Sequence, residues 1–125
     1  MSKRILIVED QEDNRTIMSD VLRTAGYELI EAVNGEDGVK LAQSERPDLI
    51  LMDIQLPVID GYEATRRIKG NAELKSIPII AVTSYALSGD EANARAAGCD
   101  GYVSKPFSPR ELLAKVREYL PDATS

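Results

Sequence analysis

Four apolar runs in this chain each end on a polar group: Leu6-Ile7-Val8 into Glu9-Asp10, Leu49-Ile50-Leu51-Met52 into Asp53, Ile79-Ile80-Ala81-Val82 into Thr83, and Tyr102-Val103-Ser104 into Lys105-Pro106. Short runs that are apolar throughout, rather than alternating, read as parallel strands buried on both faces. In an open α/β sheet, ligands collect at the carboxyl ends of the strands, so the four run ends predict one composite site. Carboxylates, a hydroxyl and an ammonium gathered there suit a divalent cation beside a phosphoryl group.

Between the runs lie helical patterns, and strand and helix alternate five times without an internal repeat. This alternation predicts an α/β fold, a doubly wound parallel sheet of five strands flanked by five helices. Ile17, Met18, Val21, Leu22 and Ala25 recur at helical spacing, and Gly26 can supply a left-handed cap. Tyr27 to Ala32 reads as the second strand. Asn34 caps a helix running towards Arg46, which closes before Pro47 because the residue before proline is steered from the helical region. Asp60 with Glu63 caps a third helix to about Lys69, and Ile77 to Val82 reads as the fourth strand. Ser88 and Glu91 have capping-box spacing, but their helix, Asp90 to Ala97, offers mainly alanine and should pack weakly. Ser108-Pro109 with Glu111 opens the last helix, whose Leu112, Leu113, Val116 and Leu120 read as core, as does Phe107. Pro121 to Ser125 reads as a frayed tail.

The 125 residues fit one domain, and no Pro-, Gly- or Ser-rich linker divides them, so residues 1–125 are expected to form a single domain. With one cysteine, Cys99, no internal disulfide is possible, and that residue reads as core. The opening run, Ile5 to Val8, is too short for a secretion signal or a membrane span, which predicts a cytoplasmic protein without membrane insertion. A net charge of −6 opposes attraction to a nucleic-acid backbone, so no direct nucleic-acid binding is expected.

Right-handed crossovers place the first and third strands side by side in the order 2-1-3-4-5, bringing Glu9, Asp10 and Asp53 together where the winding reverses. Like charges so close raise one another's pKa unless a cation intervenes, and Mg²⁺ is the expected ion. Thr83 and Lys105 would add a hydroxyl and a fixed positive charge for phosphate oxygens. An aspartate can serve as a nucleophile towards a phosphoryl group, and Asp53 is the best placed.

From about Lys3 to Leu120 these residues resemble the receiver domain of two-component response regulators. The resemblance rests on Glu9-Asp10, on Asp53-Ile54-Gln55-Leu56-Pro57 followed by Asp60-Gly61, on Thr83, and on Lys105-Pro106-Phe107, all in family order and spacing. The 2-1-3-4-5 order is that of a chemotaxis member of the family, so this expectation is in part an analogy. By the resemblance Asp53 is the phosphoacceptor. Asp10 and Asp53 would hold Mg²⁺ with the Gln55 main-chain carbonyl, and Glu9 would act through water. Lys105 would contact the phosphoryl group. Thr83 would hydrogen-bond it and move, with Tyr102 turning inward behind it as the aromatic switch. The Lys105–Pro106 bond would be cis. Gln55 and Tyr85 would govern access of hydrolytic water, a bulky Tyr85 lengthening the phosphorylated state.

The phosphoryl group would come from a phosphohistidine on a histidine kinase or histidine phosphotransfer protein. The receiver would catalyse only its own modification and slow hydrolysis, a switch rather than a metabolic enzyme. Without an output domain, the chain is similar to stand-alone receivers, most of all to the DivK type of cell-cycle regulator, through Ile54-Gln55-Leu56-Pro57 and Ser88-Gly89-Asp90-Glu91. Ala86 and Leu87, with Tyr102, the fourth helix and the exposed side of the fifth, form a candidate surface for a downstream protein target, responsive to Thr83.

Three rivals stand beside this reading. An aspartate-nucleophile phosphatase usually has an acid two residues beyond the nucleophile, where this chain has Gln55. A flavodoxin-like carrier would need a phosphate loop after the first strand, where Glu9-Asp10 would repel the flavin phosphate. A phosphorylation-independent binding module would usually have lost an acid, the threonine or the lysine, and all are present here.

Overall fold

The computed structural model describes residues 3–83 and 90–120. Its elements follow in strict alternation: β1 (Arg4–Val8), α1 (Glu12–Thr24), β2 (Glu28–Ala32), α2 (Gly35–Glu45), β3 (Leu49–Asp53), α3 (Gly61–Lys69), β4 (Ile79–Thr83), α4 (Asp90–Ala97), β5 (Gly101–Ser104) and α5 (Pro109–Tyr119). All five strands are parallel, in the order β2-β1-β3-β4-β5, as expected.

Strand parity divides the core in two. Ile5, Ile7, Leu49, Leu51, Ile80, Val82 and Val103 face Met18 and Leu22 of α1 and Leu112 and Val116 of α5. Leu6, Val8, Ile50, Met52, Ile79 and Ala81 pack with Val39 and Ala42 of α2, Ala64 and Ile68 of α3, and Ala94 of α4. The apolar residues of β3 are buried on both faces, each contributing roughly 1.5–3 kcal/mol relative to exposure. That double burial is why the runs are continuous rather than alternating.

The helix ends follow their local chemistry. Asn34 and Asp60 accept hydrogen bonds from the Asp37 and Glu63 amides, and Ser108 and Glu111 form a complete capping box. Gly26 takes the left-handed conformation (φ 100°) after α1. Arg46, before Pro47, closes α2 with φ 45°. At the amino-terminal edge of the sheet, Lys69 Nζ donates to Asp100 Oδ2 (2.8 Å), the Ile77 carbonyl (2.8 Å) and the Lys75 carbonyl (3.0 Å), and Asp100 Oδ2 also accepts from the Ile79 amide (2.9 Å). Cys99 is buried against the Thr65 hydroxyl, and burial raises its thiol pKa.

Four expectations need correction. Leu113 is half-buried rather than core; on α1, Met18 and Leu22 turn to the sheet and leave Ile17 56% exposed. Tyr27 lies outside β2; its amide closes the end of α1 on the Leu22 carbonyl, and its buried hydroxyl donates to the Leu120 carbonyl. The fourth strand starts at Ile79, because the Ile77 amide turns back to the Leu74 carbonyl and Pro78 has no N–H to give the ladder. Phe107 is half-buried at the margin of the α1–α5 core. The thin packing expected of α4 is observed in its buried Ala94 and Ala97. Tyr85, Ala86, Leu87, Ser88 with its cap, and Pro121 to Ser125 lie outside the described residues.

Candidate functional site

Glu9 follows β1 directly and extends its ladder, donating its amide to the Ala32 carbonyl (3.0 Å). The chain then turns through Asp10 and Gln11 into α1, whose first turn carries Glu12 and Asp13, where acids favour the helix dipole. Asp53 is the last residue of β3. Its Oδ1 accepts from the Gln55 amide two residues on (2.9 Å), an Asx-type turn that fixes the carboxylate.

Beyond Pro57, Val58 sits at φ 73° with the Ile59 amide bonded to the Pro57 carbonyl (2.9 Å), a tight turn that is costly for a β-branched residue. The Gly61 amide returns to the Ile54 carbonyl (2.9 Å) and closes the loop. A Cβ on Gly61 would collide with the Asp53 carbonyl oxygen and lie 2.7 Å from the Ile54 Cα, so only glycine lets α3 start this close to the carboxylate.

From the far side, the Lys105 amide donates to the Thr83 carbonyl (2.6 Å), and the Lys105–Pro106 bond is cis. Lys105 Nζ lies 2.8 Å from Glu9 Oε1 and 3.0 Å from Asp53 Oδ2, bridging two buried carboxylates that are 1% and 5% exposed. One carboxylate oxygen from each of Glu9, Asp10 and Asp53 lies within 4.8 Å of the others.

One ammonium among three carboxylates leaves the pocket short of positive charge. Burial, then the hydrogen bond shared with Asp53, pushes the Glu9 carboxyl up to about 7, against the opposing pull of Lys105. Burial alone would lower the Lys105 pKa, but its contacts with Glu9 and Asp53 hold it above the ordinary lysine value. A convergent set of hard oxygen donors with excess negative charge is the donor chemistry a small divalent cation takes. The acidic cluster therefore fits a metal.

Of the residues singled out in the sequence, Glu9, Asp10, Asp53 and Lys105 converge directly. Gln55 adjoins them through its amide, and its side chain is exposed. Thr83 is buried at the end of β4 beside Ser104, and half-buried Tyr102 lies beside Ala81. Thr83 and Tyr102 thus lie diagonally on one face of the sheet, the face covered by α4. Ala86 and Leu87 lie outside the described residues, so their place beside Tyr102 stays an expectation.

Sequence reasoning missed Arg15, whose guanidinium reaches the Glu9 carbonyl (3.0 Å) and Glu31 Oε1 (3.0 Å). It also missed a cleft of about 410 Å³ beside the pocket, lined by Asn14, Ile17, Lys105, Pro106 and Phe107. The distance in sequence between its two sides left no local signal.

A five-stranded sheet in this order, with acids, a threonine and a lysine at its carboxyl edge, defines the class. The chain belongs to the response regulator receiver domain family, whose model matches residues 5–117. Over 123 residues it is 46% identical to the polar-differentiation response regulator DivK of Brucella anthropi, covering 98% of this chain and 100% of that protein. The DivK-like resemblance read from the sequence is thereby borne out.

Among solved structures, it is similar to the receiver domain of a sensor histidine kinase from Pseudomonas aeruginosa, which has a magnesium ion coordinated in its active-site cleft. That likeness has a TM-score of 0.90 and 39% identity, covering 98% of this chain and 100% of the other. The chemotaxis protein CheY4 of Vibrio cholerae matches with a TM-score of 0.90 and 29% identity, over 95% of this chain and 99% of the other. The chain is a DivK-like receiver of two-component signalling. Among the described residues no helix is long and apolar enough to cross a membrane.

Proposed function

We propose that this chain is a cytoplasmic response regulator that takes a phosphoryl group onto Asp53. The observation that carries this reading is the buried Asp53 carboxylate held 3.0 Å from Lys105 Nζ and beside Glu9 and Asp10. The donor is a phosphohistidine on a histidine kinase or phosphotransfer protein. Its P–N bond breaks as a P–O bond to an Asp53 oxygen forms, and the imidazole, already protonated on its other ring nitrogen, leaves neutral with the electron pair of the P–N bond.

Mg²⁺, held by Asp10, Asp53 and the Gln55 carbonyl with Glu9 acting through water, would neutralise charge on the phosphoryl oxygens. The chain's own groups do the rest. The Gln55 amide orients the Asp53 carboxylate, and Lys105 exchanges its bond to Asp53 Oδ2 for one to a phosphoryl oxygen. Thr83 donates its hydroxyl to that group. Tyr102, diagonal to Thr83 on the same face, follows it inward and alters the surface that it shares with Ala86, Leu87 and α4 for a protein target. The same groups permit slow hydrolysis of the aspartyl phosphate, so the reaction resets a switch rather than turning over a metabolite. Neither nucleic acid nor membrane is a partner in this reading.

Incubation with Mg²⁺ and acetyl phosphate, followed by intact mass, tests the proposal. One phosphoryl adduct is expected, absent from Asp53→Asn and without Mg²⁺. No adduct under conditions that label another receiver would sink it in favour of a phosphorylation-independent binding module.

A further inference from the structure

The three carboxylates of the pocket are not held alike. Glu9 Oε1 bonds to Lys105 and its Oε2 accepts from the Gln11 amide (3.2 Å). Asp53 has Lys105 on one oxygen and the Gln55 amide on the other. Asp10 is exposed, and among the described residues no donor contacts its carboxylate. Its direction is therefore set by its backbone, which begins at the Glu9–Asp10 peptide.

That peptide is gripped from outside the pocket. Arg15 Nη1 donates to the Glu9 carbonyl (3.0 Å), while Nε of the same guanidinium donates to Glu31 Oε1 on β2 (3.0 Å). The Arg15 side chain is only 17% exposed. One planar fork thus joins α1, the end of β1 and β2, and the Glu9 amide is tied to β2 as well through the Ala32 carbonyl. A guanidinium presents its donors in a fixed plane, so two bonds on separate elements also fix the orientation of what they hold.

We infer that Arg15 is a positioning residue for the cation site, aiming Asp10 by locking the Glu9–Asp10 peptide. This rests on the Mg²⁺ site proposed above. Arg15 has a second influence of opposite sign, because its positive charge repels an incoming cation. The two influences separate cleanly. Arg15→Gln removes the charge and the fork together, whereas Arg15→Lys keeps the charge and loses the planar fork. Positioning predicts weaker Mg²⁺ binding in both; charge alone predicts tighter binding in Arg15→Gln and no change in Arg15→Lys.

Mg²⁺ binding is measured by titration calorimetry on the full chain without phosphodonor, beside Asp10→Asn, with circular dichroism confirming each fold. Both Arg15 variants are expected to bind about tenfold more weakly, the lower end of what outer-shell partners contribute. Labelling by acetyl phosphate should need more Mg²⁺ yet reach the wild-type maximal rate once Mg²⁺ saturates. Glu31→Asp, which keeps both charges but draws the carboxylate back from the fork, should lose affinity in the same direction by less, and serves if an Arg15 variant fails to fold. Wild-type affinity in Arg15→Lys, or tighter binding in Arg15→Gln, overturns the inference. If the wild type binds no Mg²⁺, or Asp10→Asn binds as well as wild type, the cation site itself is wrong and the inference falls with it.

Discussion

Glu9 carries the clearest energetic signature of the pocket. Its carboxyl is raised from 4.5 to about 7, so between those values the folded protein retains a proton that the unfolded chain has released. The ion-free protein should therefore lose stability as pH rises through that window, and Glu9→Gln should flatten the slope. Urea unfolding in EDTA at pH 5.5 and 7.5 measures the difference between the two proteins. Cation binding must displace that proton, so Mg²⁺ affinity should be about tenfold higher at pH 8 than at pH 6, a dependence that Glu9→Gln removes. Gly61 makes a different kind of demand. Its Cα faces the Asp53 carbonyl where no Cβ fits, and Gly61→Ala should lower unfolding stability by about 2–3 kcal/mol in urea titration. The sequence shows Asp60-Gly61 as a motif, but the collision that excludes every other residue appears only when α3 is docked against β3. Arg15 was illegible for a similar reason, since its partners Glu9 and Glu31 come from two strands that only the folded sheet makes neighbours.

At the level of elements, α4 and α5 form a contrast. The last helix has a full capping box and buries Leu112 and Val116, whereas α4 brings Ala94 and Ala97 to the core. Thin apolar burial lowers the free energy of local opening. Amide hydrogen exchange over Asp90–Ala97 should accordingly be faster than over Pro109–Tyr119, and it should change when Asp53 is phosphorylated, because Thr83 and Tyr102 lie on the α4 face. Unchanged exchange in α4 on phosphorylation would refute that coupling. The pattern of alanines in the sequence was sufficient to anticipate this weakness. The inward face of α1 was left open, since Ile17 and Met18 are adjacent apolar residues and periodicity alone cannot choose between them. The boundaries of β2 and β4 slipped for the same reason: Tyr27 and Ile77 are apolar and strand-like, yet their amides are committed to turns.

Across the whole molecule, the strand order and the gathering of Glu9, Asp10, Asp53 and Lys105 were legible because each buried run names its own end. The opposite edge of the sheet was not, as its pin joins Lys69 to Asp100 and two carbonyls across three separate segments. Lys69→Met removes the donors from a nearly saturated ammonium and should cost about 1–3 kcal/mol in urea unfolding. Because that edge is remote from the pocket, the rate of labelling by acetyl phosphate should stay at its wild-type value below the unfolding transition. The division of the core by strand parity reaches further. Asp53 shares its parity with Leu49 and Leu51, on the side of α1 and α5, while Thr83 and Tyr102 share theirs with Ala81, on the side of α4. Substitutions that retune one side leave the other's packing in place. Over evolutionary time, such a sheet lets each of its two sides drift under its own selection.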